Sequence, residues 1–370
     1  MERREYCAKI ESGLLLGSFL LVAIGLVAIY AASAMKGLQS NDDPFLFVRK
    51  QGLVAIAGFV AIFFFTKINP KFLEKAPLPV AFIGLTLLAM ILVPGAYNKV
   101  GGASRWLNLP FFRIQPAELA KLAVVLFLAK NLTRASSRLD DIKSSVIPNI
   151  LVVGLFAGFL MLQPDFGSTV LIVSIMFVML IIAGLPKILI ASSLIGTLSL
   201  GALAVATAPY RMKRVLAFMD PWSQIKHGGF QIIQSYLAFQ NGGLLGTGLG
   251  ESKQKLFFLP EAHTDFILSV IGEELGVFGV LLVIGLFCYL SWLGFKVAKS
   301  QSNPFFKHTA CGLSLLIAFQ SIFNIFVVMG LLPTKGIPLP FVSNGSSSLF
   351  TFLVATGILV AINRDAARQT

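Results

Sequence analysis

Ten stretches of the chain are almost continuously apolar, over roughly 12–33, 46–66, 77–95, 116–130, 146–163, 166–185, 188–208, 265–292, 308–330 and 346–363. About 20 such residues in a helix cross the ~30 Å hydrocarbon layer of a bilayer. A transmembrane barrel would need alternating segments of about 10 residues instead, and these runs are continuous. The pattern therefore predicts an all-α polytopic membrane protein with ten transmembrane helices. The fourth run is the weakest, being short and interrupted by Glu118 and Lys121. Between the seventh and eighth runs, residues 209–263 break the pattern with polar and small residues, including a glycine-rich run at 242–250. A connection of this length is usually functional or disordered. Its aromatic residues (Phe218, Trp222, Phe230, Tyr236, Phe257, Phe258) predict an ordered loop folded back on the membrane face.

Composition agrees with the pattern. Hydrophobic residues make up 56% of the 370 and charged residues 13%, about half the roughly 25% charged share of a soluble domain. Mean hydropathy is +0.82. A set of soluble domains and a disordered chain are both excluded, the latter because so apolar a chain does not stay solvated. No solenoid or inverted repeat is visible, and residues 1–370 read as one membrane domain. Cys7, Cys288 and Cys311 are scattered without a CxxC pair or metal-ligand spacing, so neither a disulfide framework nor a zinc site is expected. The first apolar run follows Met-Glu-Arg-Arg-Glu without a small-residue cleavage site and is read as a retained span.

The net charge is +13, and its placement orients the chain rather than pointing to nucleic acid. An even number of spans, ten, puts both termini on one side. With the N-terminus in the cytoplasm, the inner segments carry sixteen Lys and Arg, while the short outer loops carry five: Lys36, Lys99, Arg105, Arg113 and Lys335. The positive-inside rule thus predicts N-in, C-in, with the long loop 209–263 outside. The six basic residues of that loop are discounted, since long loops follow the rule weakly.

Ionisable groups at membrane depth are costly and by default functional candidates. Arg49 and Lys50 open the second span. Glu118 and Lys121 lie three apart, hence on one helix face. Asp165 sits in a break between the fifth and sixth spans, and Asp265, Glu273 and Glu274 begin the eighth. Each also has a plainer reading: lipid-phosphate contacts for Arg49 and Lys50, a structural ion pair for Glu118 and Lys121, and helix caps for Asp165 and Asp265. Glu273 and Glu274 suit a close helix interface beside Gly272 and Gly276. His263 and Asp265 are two apart and do not face each other on a helix. With no Ser in a nucleophile-elbow context, they do not make a triad. The run 242–250 lacks the P-loop spacing and its GK[ST].

Several segments resemble one family closely. Gly101-Gly-Ala-Ser-Arg-Trp-Leu-Asn-Leu109, Ile114-Gln-Pro-Ala-Glu-Leu-Ala-Lys121 and Gln163-Pro-Asp-Phe-Gly-Ser-Thr169 are similar to the SEDS family (shape, elongation, division and sporulation). So are Gly246 through Phe266 with its Leu-Pro-Glu-Ala-His-Thr-Asp ending, Ile271-Gly-Glu-Glu-Leu-Gly276 and Gly336-Ile-Pro-Leu-Pro-Phe-Val-Ser343. The resemblance covers nearly the whole chain in order. The Ser-x-Gln-Lys-Leu lead into Pro-Glu-Ala-His resembles the division branch more than the elongation branch. Asn344-Gly345-Ser346 departs from the family's Tyr-Gly-Gly, which puts that outer turn in question.

The resemblance implies a peptidoglycan glycosyltransferase that polymerises lipid II, a disaccharide–pentapeptide on undecaprenyl pyrophosphate, outside the cytoplasmic (inner) membrane. It also implies a class B penicillin-binding protein and other division membrane proteins as partners, a septal location, and no organic cofactor. Inverting displacement needs one base and a held pyrophosphate. Asp265 is the candidate base, or alternatively a ligand of Mg²⁺ or another divalent cation. Arg49, Lys50, Arg105, Lys121 and Lys255 are candidates to hold pyrophosphate, with Glu118 orienting Lys121. A lipid II flippase and a non-catalytic scaffold for the penicillin-binding protein are the competing readings.

Overall fold

The computed structural model describes residues 2–68, 70–93, 97–100, 103–108, 113–135, 146–225, 229–252 and 259–368. Each of the ten apolar stretches contains a helix. The first seven are α1 (Glu2–Asn41), α2 (Leu46–Lys67), α3 (Pro77–Met90), α4 (Pro116–Ala135), α5 (Ile147–Leu162), α6 (Phe166–Ile182) and α7 (Lys187–Ala206). Two further helices, α8 (Pro209–Met219) and α9 (Gly229–Gly242), precede α10 (Ile267–Ser300), α11 (Pro304–Val328) and α12 (Ser346–Arg368). Among the described residues, α1, α2, α7, α10, α11 and α12 are long and apolar enough to cross a membrane, and α3, α5 and α6 are shorter apolar helices. The chain is a mostly helical, multi-pass membrane protein.

Local chemistry sets the helix starts. Proline occupies the first turn of α3, α5, α8 and α11, where its missing N–H would have no helical partner anyway. Asp165 caps α6, accepting from the Ser168 backbone N–H at 3.2 Å and from Ser168 Oγ at 2.8 Å. That is the plainer of its two readings. Asn303 caps α11 through the Phe305 N–H at 2.9 Å.

Two features of the mostly helical architecture lie outside the apolar runs. Between α3 and α4 the chain forms a three-stranded antiparallel sheet, β1 (Tyr97–Val100), β2 (Ala103–Asn108) and β3 (Arg113–Ile114), in that spatial order. Val100 pairs with Ala103 and Leu107 with Ile114. Residues 97–114 are too short and polar to cross a bilayer, and the Gly101-Gly102 pair between two strand-like runs is a hairpin signal. The connection 209–263 is also more than a loop, since α8 and α9 lie within it.

In the bundle, α12 packs along α2, α11 against α10 and α4, and α1 against α10. α7 stands apart, with Ile190 its one buried residue. The two termini meet at one end. Asn363 Nδ2 donates to the Cys7 carbonyl at 2.7 Å, and Arg364 forms an ion pair with Glu11.

The glycine-rich run docks backbone to backbone on the start of α10. Thr247 donates to the Glu273 carbonyl from N–H (2.9 Å) and Oγ1 (3.0 Å), Gly248 N–H to the Glu274 carbonyl (3.1 Å), and Val277 N–H to the Gly243 carbonyl (3.0 Å). α10 kinks at Gly276 (φ 64°, ψ −162°) to receive it. The buried Glu273 carboxylate accepts from Asn241 at 3.2 Å and from Ser252, so Glu273 and Glu274 belong to this interface. At Gly246 φ is +83°, and a Cβ there would stand 2.1 Å from the Glu274 carbonyl oxygen. Both the left-handed backbone and the clash penalise any side chain. Gly246→Ala is therefore expected to destabilise the protein by about 1–3 kcal/mol, read as a lowered thermal midpoint in detergent. An unchanged midpoint would contradict the docking.

Candidate active site

Four connections converge at the end of the bundle away from the termini: β2, the α5–α6 turn, the residues leading into α10, and the α11–α12 connection. The segment before α10 is fastened peptide by peptide. The His263 carbonyl accepts from Asn344 N–H at 3.0 Å, the Thr264 carbonyl from Ser343 Oγ at 2.6 Å, and the Asp265 carbonyl from Asn324 Nδ2 at 2.8 Å. Gln51 of α2 closes the turn from the other side, donating to the Ser343 carbonyl at 3.0 Å and accepting from Gly345 N–H at 3.3 Å. These contacts use the backbone of Asn344 and Gly345, so the departure from the family's Tyr-Gly-Gly leaves the turn intact.

The Asp265 side chain is half-buried. Its neighbours are fixed by Gly336, where a Cβ would lie 3.1 Å from Asp265 Oδ2 and 3.6 Å from Arg105 Nη1. Carboxylate and guanidinium thus both border a bare glycine. Burial pushes the Asp265 carboxyl up to about 7, with Glu261 and Asp165 adding to the rise and Arg105 and Arg214 opposing it. Arg105 also donates to the Pro164 carbonyl in the α5–α6 turn.

Beside this edge lies a cavity of about 80 Å³, bordered by Arg105, Arg211, Arg214 and Lys335 and walled by Phe166 and Tyr210. Arg214 is anchored by a 2.8 Å bond to the Thr334 carbonyl and lies 4.6 Å from the Tyr210 ring centroid. Phe166 takes Lys335 Nζ at 4.6 Å and the Arg211 guanidinium at 5.8 Å. Burial lowers the Lys335 ammonium to about 8, against the pull of Asp165 and with the push of Arg214. Four cations around one small cavity suit a diphosphate, with arginine forks and a lysine point charge. The Asp265 carboxyl, near neutrality beside the wall residues Gly336 and Arg105, suits proton abstraction. Among the described residues no three His, Cys, Asp or Glu side chains gather into a metal cage. A divalent cation here would have Asp265 and substrate oxygens as its donors, a usual mode for Mg²⁺.

Of the residues expected from sequence, Asp265 and Arg105 come together. Arg49 and Lys50 do not join them: both are exposed, and Arg49 pairs with Asp43 at 3.2 Å on the surface. Glu118 and Lys121 form a buried pair at 2.6 Å whose lysine also donates to Gln320, and neither borders the cavity. Lys255 lies outside the described residues. Lys335 was expected only as an orientation charge, and Arg211 and Arg214 fell among the discounted basic residues of the long loop. The signals that mark them are the amphipathic stretch 209–219 and a lysine inside the tight Pro333-Thr-Lys-Gly336 turn. His263 is buried 5.2 Å from the Phe47 ring, and burial with Lys36 nearby pushes it down to about 4. It is a neutral packing group, with no triad.

The sequence model of the FtsW/RodA/SpoVE family, described as "Cell cycle protein", matches residues 12–368. The chain belongs to that family. It is similar to "Probable peptidoglycan glycosyltransferase FtsW" of Geobacter metallireducens, 39% identical over 350 residues, covering 95% of this chain and 93% of the relative. Stage V sporulation protein E of Bacillus subtilis is 38% identical over 94% of this chain and 95% of its own. Among solved structures, a chain described under "Structural coordination of polymerization and crosslinking by a peptidoglycan synthase complex" superposes with a TM-score of 0.79. It is 30% identical, covering 96% of this chain and 97% of the other. The rod shape determining protein RodA of Thermus thermophilus superposes with a TM-score of 0.70 at 26% identity, covering 95% and 96% of the two chains.

Proposed function

We infer that this protein is a peptidoglycan glycosyltransferase of the division branch, polymerising lipid II into β-1,4 glycan at the septum. The observation that carries the reading is the half-buried Asp265 carboxyl, which meets Arg105 at Gly336, both of them residues of a cavity wall that holds four cations. The acceptor sugar's 4-hydroxyl oxygen attacks the donor's anomeric carbon, and the bond from that carbon to the pyrophosphate oxygen breaks. Asp265 takes the hydroxyl proton, and undecaprenyl pyrophosphate leaves with its negative charge held by Arg105, Arg211, Arg214 and Lys335. No second carboxylate is required, because a leaving group held by cations departs unprotonated; this differs from hydrolases built on a carboxylate pair. A bound Mg²⁺ would add charge neutralisation at the pyrophosphate.

The charge bias supports ten spans with both termini in the cytoplasm, which puts Asp265 and the cavity on the extracytoplasmic side of the inner membrane. The meeting of Asn363 with Cys7 fits an even number of crossings. The likeness to a chain of a peptidoglycan synthase complex supports a class B penicillin-binding protein as partner.

The test is incubation of the purified protein, with and without such a partner, with lipid II in the presence and absence of Mg²⁺, followed by gel detection of polymer. The flippase and scaffold readings both require no polymer. A base must be ionised, and Asp265 titrates at about 7. The rate is therefore expected to rise with pH through an acid limb near 7 and to fall below it. A profile flat from pH 5 to 8 would remove Asp265 as base.

A further inference from the structure

Gln320 and Asn324 lie one turn apart on the same face of α11, and both amides grip the connection that follows. Asn324 Nδ2 donates at once to the Asp265 carbonyl at 2.8 Å and the Ile337 carbonyl at 2.7 Å. Gln320 Nε2 donates to the next carbonyl, Pro338, at 3.0 Å, and to Ser348 Oγ at 3.4 Å. Gln320 is held in that orientation from behind. Its Oε1 accepts from Lys121 Nζ, which Glu118 holds at 2.6 Å. An ammonium has only donors, so Lys121 forces the amide oxygen toward itself and turns the amide nitrogen to Pro338. Glu118, Lys121, Gln320 and Asn324 are all at most 1% exposed. The gripped segment follows directly on Lys335 of the cavity wall and Gly336, which faces Asp265.

We propose that Gln320 and Asn324 are positioning residues for the Asp265 base, and that the Glu118–Lys121 pair serves the same task by setting the Gln320 amide, without touching substrate. A buried ion pair is weak evidence for stability as such, because desolvation offsets its attraction. Fixing one amide orientation is a task that its geometry does perform. The proposal rests on Asp265 acting as base.

Steady-state polymerisation of lipid II tests it, with kcat, KM, the pH profile and the thermal midpoint measured for each variant. The set is Gln320→Met, Gln320→Glu, Asn324→Leu, the charge-free double variant Glu118→Gln/Lys121→Met, and that double combined with Gln320→Met. A displacement of about 1 Å at the base lowers turnover on the order of 100-fold, so each variant is expected to lose kcat by about that factor with KM little changed. The combined variant should be no slower than Gln320→Met alone, since residues acting as one unit are not additive. The acid limb should move to lower pH as the loosened carboxyl gains water, a shift that a loss of folded enzyme would not produce.

Gln320→Glu keeps the bond to Lys121 and the side-chain volume but removes the donor to Pro338. Slow turnover at an unchanged midpoint supports the proposal even if a more drastic variant fails to fold. Wild-type kcat in Gln320→Glu overturns it, as does a raised KM with intact kcat in the charge-free variant, or additive losses. Asp265→Ala is run alongside. Polymer from that variant would sink the base reading itself, whereas an inactive Asp265→Ala beside fully active Gln320 and Asn324 variants would sink the clamp alone.

Discussion

Asp265→Ala is expected to yield a folded, membrane-inserted protein that makes no detectable glycan polymer from lipid II. A positioned general base contributes about 10²–10⁴ in rate. Asp165, the carboxylate that lines the cavity itself, is committed to capping α6 through Ser168. The fold should survive because the three bonds that fasten residues 263–265 run through backbone carbonyls that alanine keeps. Stability should respond with a definite sign. The folded carboxyl titrates at about 7, above its ordinary value near 4, so between those pH values the folded state holds a proton that the unfolded chain has released. This group therefore favours folding least once pH has risen past 7. Asp265→Asn, which stays neutral, should raise the thermal midpoint more at pH 8 than at pH 5. Equal shifts at both pH values, or polymer from the alanine variant, would count against the assignment.

The second large effect belongs to the cavity. Hydrogen bonds to charged groups contribute about 1.5–3 kcal/mol, roughly 10- to 100-fold each. Removing Arg214 and Lys335 together should lower kcat/KM for lipid II by at least about 100-fold. Lys335→Arg should restore part of the loss, since charge is kept while the point geometry is not. Binding of inorganic pyrophosphate to the purified protein gives a readout independent of turnover and should weaken in parallel. If the double alanine variant kept wild-type kcat/KM, the four-cation site would have no part in holding the leaving group. Arg49→Ala is the matched control. Its side chain is 70% exposed and pairs with Asp43, and its loss should leave turnover unchanged.

Hydropathy alone located all ten bundle helices, because their burial or membrane exposure demands unbroken apolar runs. It also placed Asp265 at the mouth of the bundle. The small sheet and the helices α8 and α9 escaped, because each is short and half polar, and what organises them is contact with the bundle surface rather than their own periodicity. The same limit explains the site. Arg105 and Asp265 are 160 positions apart and meet only because β2 folds against the α5–α6 turn, with Arg105 bonded to Pro164. Lys335 reaches the cavity from a turn and Arg214 from the short helix α8, and a hydropathy profile registers both only as loops. Arg49 and Lys50 stand out in the sequence as charge at the opening of a span, and the structure leaves both exposed, with Arg49 paired to Asp43. For Glu118 and Lys121 the spacing correctly gave a pair, while the partner that explains them, Gln320, sits 199 residues beyond Lys121.

The fastening of residues 263–265 through three successive carbonyls has a consequence for control of the enzyme. Ordering that would otherwise oppose catalysis in every cycle is completed once, when the chain folds, so an arriving substrate meets a reactive group already in place. A regulator has little to gain by switching that group on.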